Sequence, residues 1–194
     1  LARTGGDQFV LSGVEAVLSA GAVIGGVVIS TWGGPQRKVR GALISMALCG
    51  LLGRVLFGLG SNFITWIPGA FFFFFFIPIL NGCLAPVWLS KVPPDVQGRV
   101  MSARITLSRA MIPLGTLISG PFAEQILEPA MMPGGILAPI FGGLVGTGQG
   151  AGMALLFILT GVLITGLTPI GLAIPAIRDA ETLLPDYDAA VDQE

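Results

Sequence analysis

Five long apolar stretches limit what this chain can fold into. They run Phe9–Trp32, Gly41–Gly60, Phe63–Ser90, Val100–Leu127 and Ala151–Ile177. Each reaches the ~20 residues that a helix needs to cross a ~30 Å hydrocarbon core. Inside that core every backbone N–H and C=O must find its partner within the protein, which leaves helices and closed barrels. The stretches lack the period-two alternation of barrel strands. They therefore predict an all-α integral membrane protein with five transmembrane helices. Charged residues make up 11% of the chain and hydrophobic ones 53%, against about 25% charged in soluble domains. Membrane lipids are its expected surroundings, and an odd number of crossings puts its two ends on opposite sides.

The cations divide by connection. Arg37, Lys38 and Arg40 lie between the first and second stretches. Lys91, Arg99 and Arg104 surround the join of the third and fourth, and Arg178 follows the fifth. The other connections, around Ser61-Asn62 and from Glu128 to Gly150, carry no Lys or Arg, and only Arg3 stands on that side. The positive-inside rule then predicts an outside N-terminus and a cytoplasmic C-terminus in a cell membrane. Residues 1–178 read as the transmembrane bundle and 179–194 as an acidic cytoplasmic tail with Asp179, Glu181, Asp186, Asp188, Asp192 and Glu194. The opening Leu-Ala-Arg-Thr-Gly-Gly-Asp is not a signal peptide, and the missing initiator Met reads as a start within a longer protein.

Several function classes receive no support. The chain has no His, which removes His metal sites and the commonest general base. Cys49 and Cys83 lie within apolar stretches, where thiols behave as small hydrophobes. There is no phosphate-binding Gly-Lys-Ser/Thr loop and no nucleophile elbow. No basic surface interleaved with aromatics points to nucleic acid. The chain reads as no enzyme, with no cofactor and no metal.

Packing signals are plainer. Gly21 and Gly25 form a small-residue ridge on the first helix, with Ala22, Gly26 and Ser30 as an adjacent one; such ridges let backbones approach closely in lipid. Pro68, Pro78 and Pro86 predict a kinked or locally unwound third helix. The six phenylalanines Phe71–Phe76 cover its whole circumference and read as lipid and neighbour contact. The connection Glu128–Gly150 resists regular helix, apart from Ile136–Val145, which fits the membrane interface.

An ionisable residue within a span is a candidate functional group, since burying it costs at least ~2.5–3.5 kcal/mol. Glu15 and Arg54 differ in depth by only ~6 Å, within reach of a charge pair; the functional reading is a proton-sensitive switch, and the structural one is a packing pair or side chains snorkelling toward the outer interface. Arg109, with Pro113, Thr116 and Gly120, marks a polar stripe suited to a cavity wall or to helix packing. Asn81, after Pro78, is a mid-membrane hydrogen-bonding group for substrate or for a neighbouring helix. Glu124, near Glu128, reads as solvated.

Some of these residues resemble a known group. Gly25-Gly26 and Ser30-Thr31-Trp32-Gly33-Gly34-Pro35-Gln36-Arg37-Lys38 look like the cytoplasmic loop after the eighth helix of major facilitator superfamily permeases, in the branch with macrolide-efflux-type drug exporters. Lys91-Val92-Pro93-Pro94-Asp95-Val96-Gln97-Gly98-Arg99-Val100, Ser119-Gly120-Pro121-Phe122-Ala123 and Leu127-Glu128-Pro129 resemble the stretch around its eleventh helix. Gly146-Thr147-Gly148-Gln149-Gly150 and Leu183-Leu184-Pro185-Asp186 fit as well. One departure is Ser30, where the superfamily loop usually places an acid.

The resemblance implies a partial C-terminal bundle, helices eight to twelve of a twelve-helix permease, without the N-terminal half and seventh helix. It implies secondary transport by alternating access between two bundles, with proton-coupled efflux of a small amphipathic molecule and no activity for this part alone. Asn81, Pro78, Arg109 and Thr116 become candidates for the substrate cavity. Gly33, Gly34, Arg37, Lys38 and Arg40 become a cytoplasmic gating loop. A non-transporting membrane scaffold, or one half of a split permease, is the alternative.

Overall fold

In the computed structural model, which describes residues 8–183, Asp186 and Tyr187, every described element is a helix. Helices α1 (Gln8–Trp32), α2 (Lys38–Leu59) and α3 (Phe63–Lys91) follow one another through short turns. Helix α4 covers residues 97–131 as Gln97–Pro121, a wider π-helical stretch Phe122–Leu127 and a last turn Glu128–Met131. Helix α5 (Ala138–Val145) is short and α6 (Ala151–Ala173) long; the single turns α7 (Pro175–Arg178) and α8 (Ala180–Leu183) follow it. Four helices, α1, α2, α3 and α6, are long and apolar enough to cross a membrane. These are the helices of an integral membrane protein.

The fifth expected span needs correction. Its helix is present, but it falls outside that apolar set. Arg99, Arg104 and Arg109 recur every five residues, and at ~100° per residue they land on three different faces. Whichever side of α4 turned to lipid would expose an arginine, so this helix has no lipid-compatible face along its first half.

Local chemistry sets the ends. Gly33 and Gly34 hold left-handed backbone (φ 72° and 77°) and stop α1. The Thr65 hydroxyl accepts from the Ser61 and Asn62 N–H groups at 3.1 and 3.0 Å and opens α3. Proline disfavours helical geometry in the residue before it, and Ile174, extended at ψ 110° ahead of Pro175, ends α6 short of the expected Ile177. By contrast α3 stays helical through Pro68, Pro78 and Pro86, so of a kink or local unwinding, the unwinding does not occur. The long connection does contain the expected short helix, narrowed to Ala138–Val145.

Close backbone approach organises the bundle. A Cβ on Gly21 or Gly25 would overlap the carbonyl oxygens of Phe71 or Phe75, so α1 lies directly on α3 through that ridge. The adjacent ridge is idle: Gly26 faces open space and Ser30 is exposed. Helix α2 is held on two sides. Gly53 meets the Phe73 backbone of α3, while Gly50 and Gly58 meet the Gly161 and Ala154 carbonyls of α6. The Thr165 hydroxyl donates across that second seam to Ala47 O at 3.2 Å. Ala42, Phe76, Ile79 and Cys83 form one buried cluster between α2 and α3. Leu127, Met131, Val145, Ala151, Ala154 and Leu155 form another, where the end of α4 meets α5 and α6.

Helix α4 otherwise stands apart. Its first 25 residues bury none of their number. Near its start the Gln97 amide donates to Leu89 and Val92 carbonyls, each at 3.0 Å, and Arg104 lies 5.4 Å over the Trp88 ring. Beyond these contacts with α3, Leu107, Ile112, Leu117 and Ile118 are 66%, 62%, 73% and 69% exposed.

Candidate functional site

The structure separates the residues that sequence reasoning grouped. Asn81 is exposed, and its amide donates to the Ile77 carbonyl of its own helix at 3.0 Å. Pro78 is half-buried. Arg109 and Thr116 are exposed on the free face of α4, and the Thr116 hydroxyl donates to Pro113 O at 2.8 Å. Pro78 and Asn81 lie on α3, and Arg109 and Thr116 on the first 25 residues of α4, which bury nothing.

Glu15 and Arg54 are likewise not joined. Glu15 is exposed, and no ion pair links the two. Arg54 sits in a π-helical stretch of α2, Cys49–Val55, with its guanidinium 5.3 Å from the centre of the Phe73 ring. Such a cation–π contact contributes about 0.5–2 kcal/mol and offsets part of the cost of placing a cation there. A cavity of about 120 Å³ opens beside it, lined by Leu18, Gly53, Phe57, Ala70, Phe73, Phe74 and Phe157. Arg54 is the single polar side chain in that lining. It stands five residues from Leu59, ~8 Å from the helix end, within snorkelling reach of the headgroups. This arrangement favours the structural reading of Arg54.

The proposed gating loop is ordered and tightly bonded. Lys38 Nζ donates to the Gly33 carbonyl at 2.5 Å, and a Cβ on Gly41 would strike the Pro35 ring. Arg37 and Arg40 converge on one oxygen of Asp179, at 3.4 and 3.1 Å. Asp179 begins what the sequence reads as an acidic tail, and the described part of that tail is folded onto the bundle. Its carboxyl is held below the usual carboxylate range by hydrogen bonding from Arg178 first and Arg40 next, with their charges adding to it. A depressed carboxylate stabilises its contacts above the ordinary titration range and loses them as pH falls through the lower, folded-state value. The Asp179 carboxyl carbon should therefore titrate, by NMR, below the ordinary aspartate midpoint of about 3.9. Replacing Arg178 with Gln should move that midpoint back up; an unshifted midpoint in the parent chain contradicts the contact.

Sequence reasoning gave one residue no role. Glu128 accepts from the N–H groups of Gly150 and Gly152, the latter at 3.0 Å, and so caps the N-terminus of α6 from the end of α4. Glycine flanking both sides of a helix start, with an acid in the preceding connection, was the available signal. Glu124, its neighbour, is exposed as expected.

Charge and position agree on one point. Contacts between Arg37, Arg40, Lys91 and the residues after α6 place three cation-bearing connections at the same end of the bundle. No protein-family model, no curated protein and no solved structure matches this chain.

Proposed function

We propose that this chain is the C-terminal part of a secondary active transporter of the major facilitator type, one that exports a small amphipathic molecule in exchange for protons. The observation that carries the reading is α4. A helix with arginines on three faces and 25 residues that bury nothing is unsuited to lipid and calls for protein or an aqueous cavity around it. A second helical bundle facing α4 supplies both, and residues on α4 then join Asn81 of α3 at the lining between the halves. On this reading α4 is the fifth crossing and the cation-rich end faces the cytoplasm. The loop Gly33–Arg40 belongs to the cytoplasmic gate, and the chain is inactive without its opposing bundle.

Counterflow in proteoliposomes tests this. The chain purified alone should exchange no labelled amphipathic molecule above empty vesicles. The complex captured with its helical partner in mild detergent should exchange it, and Arg109→Ala should lower that exchange at least tenfold, about 1.4 kcal/mol of barrier. Exchange by the chain alone, or none by the complex across a panel of cationic, neutral and anionic amphipathic molecules, overturns the reading. A second reading, a non-transporting membrane scaffold, draws on a different observation: Asn81 is bonded within its own helix and the cavity beside Arg54 is apolar. A partner that covers α4 without any exchange activity favours the scaffold.

A further inference from the structure

The segment after α6 makes polar contacts with residues about 140 positions earlier in the chain, and its carboxylates take different targets. Helix α2 begins without a side-chain cap from Arg37. Glu181 supplies one from a distance: its Oε2 accepts from the Lys38 and Val39 N–H groups at 2.8 and 3.3 Å. Asp179 receives Arg40 and Arg37 on Oδ1, and on Oδ2 it receives Arg178 Nη2 at 2.7 Å. At the end of α3, Lys91 Nζ donates to the Glu181 carbonyl and to Asp186 Oδ1, both at 2.8 Å. That lysine side chain is 15% exposed, while Asp186 is 59% exposed.

Apolar burial does not hold this segment. Neither Pro175–Arg178 nor Ala180–Leu183 contains a buried residue. We propose that Arg178–Leu183, with Asp186, is a charge-held clasp that ties the ends of α2, α3 and α6 into one body and opens when its ion pairs are screened. Exposed ion pairs are individually weak. Here the break at Ile174 is short and α6 is anchored in the bundle, so the carboxylates stay at high effective concentration beside their cations. Opening would uncap α2, release Arg37 and Arg40 from Asp179 and break the Lys91 contacts with Glu181 and Asp186. The clasp does not depend on whether the chain transports anything.

Amide hydrogen exchange of the full chain in nanodiscs tests the clasp without perturbing the fold. Raising salt from about 0.05 M to about 1 M shortens the screening length from roughly 14 Å to 3 Å. Exchange at Lys38 and Val39 should then accelerate about tenfold or more, while the Gly21–Gly25 seam stays protected. Glu181→Ala should produce the same acceleration at low salt. Asp179→Arg should also open the clasp, and adding Arg40→Asp should close it again by restoring an opposite pair. Should a variant also lose protection in the seam, the salt series on the unaltered chain decides. Exchange at Lys38 and Val39 that does not respond to salt overturns the proposal, as does equal protection with Glu181→Ala.

Discussion

Gly25→Ala should destabilise the bundle by about 1–3 kcal/mol, whereas Gly26→Ala, one residue along the same helix, should be neutral or stabilise it by up to about 1 kcal/mol. The two substitutions are chemically identical and both favour helix. They differ in what the new methyl meets. On Gly25 it would overlap the Phe75 carbonyl oxygen of α3, a backbone atom that cannot swing aside; on Gly26 it meets nothing within 4 Å. To accommodate a methyl at the first position, α1 must move away from α3 and lose the close contact that drives association where lipid offers no hydrophobic gain. Gly25→Leu should separate the pair. Thermal melts in detergent, or resistance to unfolding by SDS, read the contrast directly. Equal effects at the two positions would mean that α1 does not meet α3 through this ridge.

Glu128→Ala should cost about 2–3 kcal/mol, and Glu124→Ala less than about 0.5 kcal/mol. Glu128 is half-buried and its carboxylate accepts two N–H groups at the start of α6, where the helix dipole favours negative charge. Removing it leaves those donors without their acceptor beside the cluster of Leu127, Met131 and Leu155. Glu124 lies one turn earlier on the exposed side of the π-helical stretch. Glu128→Gln keeps one acceptor oxygen without the charge and should fall between. A Glu124 effect as large as that of Glu128 would remove the cap from the account of how α4 joins α6.

The helices themselves were legible because their signal is local. Hydrophobic length alone marks α1, α2, α3 and α6, and the turn residues Gly33-Gly34 and Ser61-Asn62 lie between the spans where left-handed backbone and helix caps belong. The Gly21–Gly25 ridge was legible for the same reason: four-residue spacing is a property of one helix. Helix α4 shows where that reasoning overreaches. Its length satisfies the rule, but Arg99, Arg104, Arg109 and the polar residues between them leave it less apolar than the four candidate spans, and length alone does not register that.

The candidate site was far less legible. Matching depth along two helices made a Glu15–Arg54 pair feasible, yet depth says nothing about which way each helix is turned. In the fold α1 meets α3 through its glycine ridge and Arg54 of α2 finds the Phe73 ring instead. An acidic tail on the same side as two basic connections carried a hint of pairing, but composition could not say which carboxylate meets which helix end.

By itself, then, the sequence determined that this chain forms apolar helices with cations gathered in alternate connections, because hydropathy and charge act residue by residue along the chain. Tertiary structure alone decided that Gly25 is in contact and Gly26 idle, that Glu128 and Glu181 cap helices begun elsewhere in the chain, and that α4 buries nothing over its first 25 residues. Those outcomes depend on the rotation of each helix about its axis and on which neighbours share its flanks. Both are settled by summed contacts across all the seams at once.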